Sequence, residues 1–189
     1  MESSFYSKSE LSNLGLKGYG ENILISRKAS IYGGESILLG DNVRIDDFCV
    51  LSGSIVIGSY VHIAAFCALY GANGIVMRDF SGLSAKVVIY SASDDFSGDH
   101  LVGAMVPAEY TKVTGGAVAI EKYVQVGAGS IILPDVTLEE GAAVGAMSLV
   151  THSLRSWSIN FGIPARFQKE RKRNLLELEK ILFKNTGVK

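Results

Sequence analysis

The aliphatic residues of this chain recur every six positions. Leu39, Ile45, Leu51, Ile57, Ile63 and Leu69 keep the beat, Met77, Leu83 and Ile89 continue it, and Ile120, Val126, Ile132, Leu138, Val144 and Val150 resume it. Two positions before these lies a second column of small or branched residues: Val43, Cys49, Ile55, Val61 and Cys67, then Val124, Ser130, Val136, Ala142 and Ser148. Six is neither the helical period nor the alternation of a strand. A fixed short period marks a repeat architecture. Six residues make a short strand and a turn, and three such units close a triangular coil. Stacked coils place their strands in parallel ladders ~4.7–4.9 Å apart. About seventeen hexads run from Ile25 to Val150, so the chain is expected to be an all-β solenoid of five to six coils.

The 189 residues suit one domain, and 48% hydrophobic content is enough for a continuous core. A net charge of −1 gives no reason to expect nucleic acid as a partner. No apolar run approaches the ~18 residues of a membrane span. The start, Met1-Glu-Ser-Ser-Phe5, lacks the basic and apolar regions of a signal peptide, so the expected location is cytoplasmic. Cys49 and Cys67 lie one coil apart and are expected to be reduced core residues.

Departures from the beat divide the chain. Residues 1–22 form an N-terminal capping segment, in which Ser7-Lys-Ser-Glu10 has the form of a capping box before Leu11, Leu14 and Leu16. Residues 23–155 form the coil. Its beat slips by two at Gly33-Gly-Glu-Ser36 and again at Gly71-Ala-Asn-Gly74, both expected at turns. Residues 90–119 drop the beat altogether and hold Asp94, Asp95, Asp99, His100 and Glu109. A loop of about 30 residues inside a compact domain is unusual unless it is functional. Residues 156–189 are expected to form a turn and a C-terminal α-helix from Arg166 to Lys184, with Leu175, Leu178, Ile181 and Leu182 on its apolar face.

The hexads Leu39-Gly-Asp-Asn-Val-Arg44 and Ile57-Gly-Ser-Tyr-Val-His62 follow an aliphatic-Gly-x-x-small-x pattern. Two further motifs are Val144-Gly-Ala-Met-Ser-Leu-Val-Thr151 and Gly162-Ile-Pro-Ala-Arg166. Together they resemble the hexapeptide-repeat acyltransferases, over residues 23 to 170. The resemblance implies a left-handed parallel β-helix, a homotrimer with its active site between subunits, and acetyl-CoA as co-substrate with no metal. By position it also implies that Ala128, Ala146 and Thr151 line the coenzyme groove, and that Arg166 and Lys169 approach its phosphates. Cationic side chains suit that role. One departure is His152, where the family usually has lysine.

Family members generally use a loop histidine as general base, and neutral imidazole can do this near pH 7. The position that matches the family histidine is Asp94. The only histidine of the loop is His100, which is the expected base, with Asp94, Asp95 or Asp99 orienting it or holding the acceptor. His62 is the rival, at the end of a hexad where family enzymes place acceptor ligands, although Cys67 replaces an asparagine some of them use. His152 is the third choice. Ser91-Ala-Ser-Asp-Asp-Phe-Ser-Gly-Asp-His100 and Gly145-Ala-Met-Ser-Leu-Val-Thr151 look like enzymes of surface-polysaccharide biosynthesis, including O-antigen N-acetyltransferases of nucleotide-linked 4-amino-4,6-dideoxy sugars. O-acetylation of a sugar hydroxyl stays open beside N-acetylation. A non-enzymatic scaffold is the third reading. A zinc carbonic anhydrase on this fold needs three converging histidines. His62, His100 and His152 are not expected to meet.

Overall fold

The structure is a computed structural model that describes residues 3–186; the first two residues of the capping segment and the last three of the C-terminal segment lie outside it. The chain winds into a parallel β-solenoid of seven turns with a C-terminal helix. A first face stacks Leu24–Ile25, Arg44–Ile45, His62–Ile63, Gly82–Leu83, Gln125–Val126, Ala143–Val144 and Ser158–Phe161 in register. A second face carries Ser30–Tyr32, Val88–Tyr90, Ile131–Ile132, Leu149–Val150 and the first halves of the long strands Val50–Ile57 and Ala68–Met77. The third face holds the second halves of those strands, with Ile37–Leu39, Val118–Ile120 and Thr137–Leu138.

The six-beat is the core. Every beat residue from Leu39 to Val150 is at most 4% exposed, and the second column is buried with it. Ser130 and Ser148 are tolerated there because both hydroxyls donate to the Gly145 carbonyl, at 3.0 and 2.8 Å. Where the second face begins, the turns place Phe48, Phe66, Lys86 and Met147 at positive φ; where the first face begins, Tyr60, Phe80, Tyr123 and Trp157 do the same. Bulky residues rarely adopt this conformation. Stacking between turns holds them: Phe48 on Phe66 at 4.9 Å, Tyr60 on Phe80 at 4.7 Å, and Tyr123 beside Trp157 at 5.9 Å.

The solenoid is longer at both ends than the beat implied. Gly18–Tyr19, inside the expected cap, already pairs with Leu38–Leu39. Ser158–Phe161 forms a seventh rung where only a turn was expected. The expected helix from Arg166 is also corrected. Arg166–Glu170 is a strand that folds back antiparallel on Ser158–Phe161 and covers its open edge. The helix, α1, is Leu175–Thr186. It lies over the aromatic column, with Phe183 edge-on to Tyr60 and Phe80, and Glu179 bonded to Lys122 at 2.6 Å and to the Tyr123 hydroxyl. Arg171 pins the connection by donating from Nη1 to the carbonyls of Tyr123 (2.7 Å) and Gly141 (3.0 Å).

The N-terminal capping box forms as expected, with Ser7 and Glu10 bonded reciprocally around Lys8–Leu11. Glu10 also takes a bidentate pair from Arg27 at 2.6 and 2.7 Å. The first slip is a tight turn, Gly34–Ser36. The second is a bulge inside the continuous strand Ala68–Met77 rather than a turn: Gly53 pairs with Gly71 and Ile55 with Ile75, so three residues face one. Asn73 in that bulge donates through its backbone N–H and its side-chain amide to the hydroxyl and carbonyl of Ser91, at 2.9 and 3.0 Å. Ser91 starts the segment that drops the beat. That segment is an arm with its own antiparallel ribbon, Ala92–Asp94 against Val113–Gly115. The cysteines are free and buried, and their thiols donate to the carbonyls of Ala64 and Ser84, each at 3.1 Å.

Candidate active site

The arm leaves the coil where the second face ends. Tyr70 and Tyr90 stack there at 5.3 Å on neighbouring rungs. Between these rings and the arm lies a cavity of about 940 Å³, walled by Phe96, Val113 and Leu133 as well as the tyrosines, and Asp94 is its only carboxylate. The ribbon puts Asp94 there by pairing it with Val113. A carboxylate at the edge of an apolar cavity can hold a cationic or hydrogen-bonding acceptor and take its proton.

His100 lies further along the arm and does not line the cavity. Its Nδ1 is 2.9 Å from Asp95 Oδ2. Asp95 also receives the Ser97 amide at 2.9 Å and the Ser97 hydroxyl at 2.8 Å. The Ser97 amide first, then His100 and the Ser97 hydroxyl, hold the Asp95 carboxyl down to about 2. Asp95 is thus the carboxylate that orients His100, while Asp99 is exposed beside it and touches Ser97 through its own backbone N–H.

At the other end of the second face, Ala128 and Ala146 occupy successive turns, both exposed, with the Met147 amide donating to the Ala128 carbonyl at 2.8 Å. Glycine is required beneath them: a Cβ on Gly127 would stand 2.5 Å from the Ala146 nitrogen. The turn Gly162-Ile-Pro-Ala165 seats on the next rung through Ala165 N–H to the Leu149 carbonyl (2.7 Å) and Leu149 N–H to the Gly162 carbonyl (3.0 Å). Arg166 then pairs with Phe161 and Lys169 with Ile159, because Gln168 is an extra residue in the ladder. The bulge brings the two cations to one side of the strand. Neither forms an ion pair among the described residues. Thr151 stands apart from the alanines, one strand away, on the rung after Leu133, and its Oγ1 lies 2.8 Å from His152 Nδ1.

His62 is on the first face. Its Nε2 is 2.8 Å from Asp46 Oδ2, and Arg44 donates to Asp46 Oδ1 at 2.7 Å. Burial opposes ionisation of Asp46, but the bonds from His62 and Arg44 more than offset it and lower its pKa. His62 also lines a cavity of about 250 Å³ with Gly82, Ser84 and Gln125. Ser84 and Gln125 escaped the sequence reading, because each sits in an ordinary hexad with nothing to distinguish it from other turn and surface positions. The three histidines lie on three different parts of the molecule, and no group of metal-ligating side chains gathers among the described residues.

A stacked coil with exposed alanines at its corners, unpaired cations on the strand that covers its last rung and a carboxylate-bearing cavity beneath the arm fits a coenzyme-dependent transferase of the hexapeptide class. The chain belongs to the hexapeptide-repeat family: the model "Bacterial transferase hexapeptide (six repeats)" matches residues 36–71. It is 44% identical to the dTDP-4-amino-4,6-dideoxy-D-glucose acyltransferase of Escherichia coli, over 95% of this chain and 94% of that one. It is also similar in structure to AntD, an N-acyltransferase from Bacillus cereus solved with dTDP and 3-hydroxybutyryl-CoA, with a TM-score of 0.96 and 51% identity over 98% of this chain and 100% of that one. AntD variants S84A, with dTDP-4-amino-4,6-dideoxyglucose and coenzyme A, and D94N, with dTDP and coenzyme A, match at a TM-score of 0.95, 51% identity and coverage of 97% and 100%. The chain is therefore a coenzyme A-dependent acyltransferase. Among the described residues no helix is long and apolar enough to cross a membrane.

Proposed function

We propose that this enzyme moves an acyl group from a coenzyme A thioester to the 4-amino group of a dTDP-linked 4-amino-4,6-dideoxy sugar. The carrying observation is Asp94 in its apolar cavity. The neutral amino group of the sugar offers an N–H donor to the carboxylate, and its 6-deoxy methyl suits walls such as Val113 and Leu133. As the amine attacks, the C–N bond forms and the C–S bond breaks. The amine's proton passes to Asp94, and the thiolate leaves on coenzyme A. AntD was studied as variants of an aspartate and a serine, and this chain has Asp94 and Ser84 at those same numbers. His100, steered by Asp95, is the second candidate for the proton transfer. Ala128, Ala146, Thr151, Arg166 and Lys169 serve the coenzyme, and His62 and Asp99 the acceptor.

Ser84 and Asp94 flank opposite ends of the second face and line different cavities. One site containing both requires neighbouring chains, which supports the homotrimer. Reduced cysteines favour the cytoplasm, and an acylated nucleotide sugar is a building block for surface polysaccharide. Acetyl is the expected acyl group; the 3-hydroxybutyryl-CoA bound by AntD makes a longer one the alternative.

The test is thiol release from acetyl-CoA and 3-hydroxybutyryl-CoA in the presence of dTDP-4-amino-4,6-dideoxyglucose or of unmodified sugars. Turnover with the amino sugar alone is the expected result. Turnover with hydroxyl acceptors alone would transfer the assignment to O-acylation.

A further inference from the structure

We infer that Gln125 is a positioning residue: it sets the hydrogen-bond polarity of Ser84, so that the Ser84 hydroxyl donates to the thioester carbonyl oxygen during acyl transfer. The inference rests on the reading of Ser84 as part of the active site.

Gln125 stands in register with Gly82 on the first face, and His62 lies on the far side of that glycine. Because Gly82 has no side chain, the glutamine folds over it; a Cβ there would come within 2.9 Å of Gln125 Oε1. The side chain thereby reaches Ser84. Gln125 Nε2 donates to Ser84 Oγ at 3.3 Å and to the Val126 carbonyl at 3.4 Å. The second contact favours the amide's N–H end toward the serine, since a carbonyl only accepts. Ser84 Oγ must then accept from the amide.

The main chain of Ser84 is held on both sides. Its backbone N–H donates to the Val126 carbonyl at 2.9 Å, and its carbonyl receives the Cys67 thiol at 3.1 Å. Among the described residues no acceptor takes the hydroxyl proton. The hydroxyl borders the cavity shared with His62. It also lies one rung before the coenzyme corner, where Gly129 N–H donates to the Ala85 carbonyl at 3.0 Å. A donor fixed there meets the oxygen that gains charge as the amine adds to the thioester. The carbonyl electron pair moves onto that oxygen, the Ser84 O–H bonds to it, and collapse of the intermediate expels the thiolate.

Gln125→Glu tests the polarity, because an ionised carboxylate of the same shape only accepts and captures the serine proton. Removing one donor to a developing oxyanion costs ~10²–10³ in turnover. Gln125→Glu at pH 8 is expected to lose about as much as Ser84→Ala, with the KM for acyl-CoA little changed, and the double variant to lose no more than either. The ratio of Gln125→Glu to wild-type turnover is expected to rise toward pH 5, as the glutamate gains a proton to donate. Gln125→Met, which fills the space without accepting, is expected to lose less. Equal losses for Glu and Met, or a Glu loss that is independent of pH and additive with Ser84→Ala, would overturn the inference. So would full activity of Gln125→Glu beside a slow Ser84→Ala. Full activity of Ser84→Ala would instead remove Ser84 from the site and sink the underlying reading.

Discussion

At the scale of residues, the choice is between two groups on one arm. Asp94 lines the large cavity; His100 does not, and Asp95 holds its Nδ1. Asp94→Asn keeps the shape and removes the proton acceptor, so turnover with the amino sugar should fall by ~10²–10⁴ while acyl-CoA binding persists. His100→Ala should cost less. Steady-state rates for both variants decide it, and the reverse order would restore the histidine as base. The cations make a separate prediction. Each charge-assisted contact to a phosphate contributes ~1.5–3 kcal/mol, so replacing Arg166 and Lys169 with alanine should raise the KM for acyl-CoA more than it lowers turnover. A KM unchanged from wild type would place the phosphates elsewhere. Asp94, Arg166 and Lys169 were visible as candidates because they stand where the beat breaks or a motif ends. Ser84 and Gln125 were not: their meaning comes from the empty space above Gly82, and a ladder neighbour 43 positions on in the chain is invisible to a local pattern.

At the scale of elements, the ends of the solenoid depend on polar contacts. The Arg27 guanidinium first, and then the Ser7 hydroxyl and amide, hold the Glu10 carboxyl down to about 2 from an ordinary 4.5. A carboxyl depressed in the folded state stabilises it above its unfolded value, and that contribution fades as pH falls through the folded value. Glu10→Gln should therefore lower Tm at pH 7, and the gap to wild type should narrow from pH 4.5 toward 2. A gap that stays constant over that window would separate the capping box from the ionic pair. The capping box was readable because its four residues are contiguous. The strand Arg166–Glu170 was not, since its reason for being extended is the open edge of Ser158–Phe161. A run of basic residues ahead of an apolar face reads as helix until that edge is known. The aromatic residues at positive φ are hidden for a similar reason: Phe48, Tyr60 and Tyr123 each stack on a ring one turn away, and Trp157 reaches Tyr123 across the Gly141 rung, so none is explained by its own hexad.

For the whole molecule, the six-beat dictated the solenoid, because a strict period leaves the chain one way to bury its aliphatics. The same regularity separates the chemistry. Asp94 and Ser84 flank the two ends of one face, so under the proposed function a single chain offers half of a site at each end. The proposed trimer joins the halves, and mixing inactive subunits tests this directly. Asp94→Asn chains keep Ser84, and Ser84→Ala chains keep Asp94. If each site takes its aspartate from one chain and its serine from the next, trimers assembled at random from an equal mixture carry about a quarter of their sites intact, since a closed ring repeats one interface all the way round. Co-refolding the two variants should therefore restore a clear fraction of wild-type turnover, where either variant alone is slow. A site confined to one chain restores nothing on mixing. Light scattering on the same samples checks that they are trimers, and a fully active monomer would end the shared-site proposal without reference to any single residue.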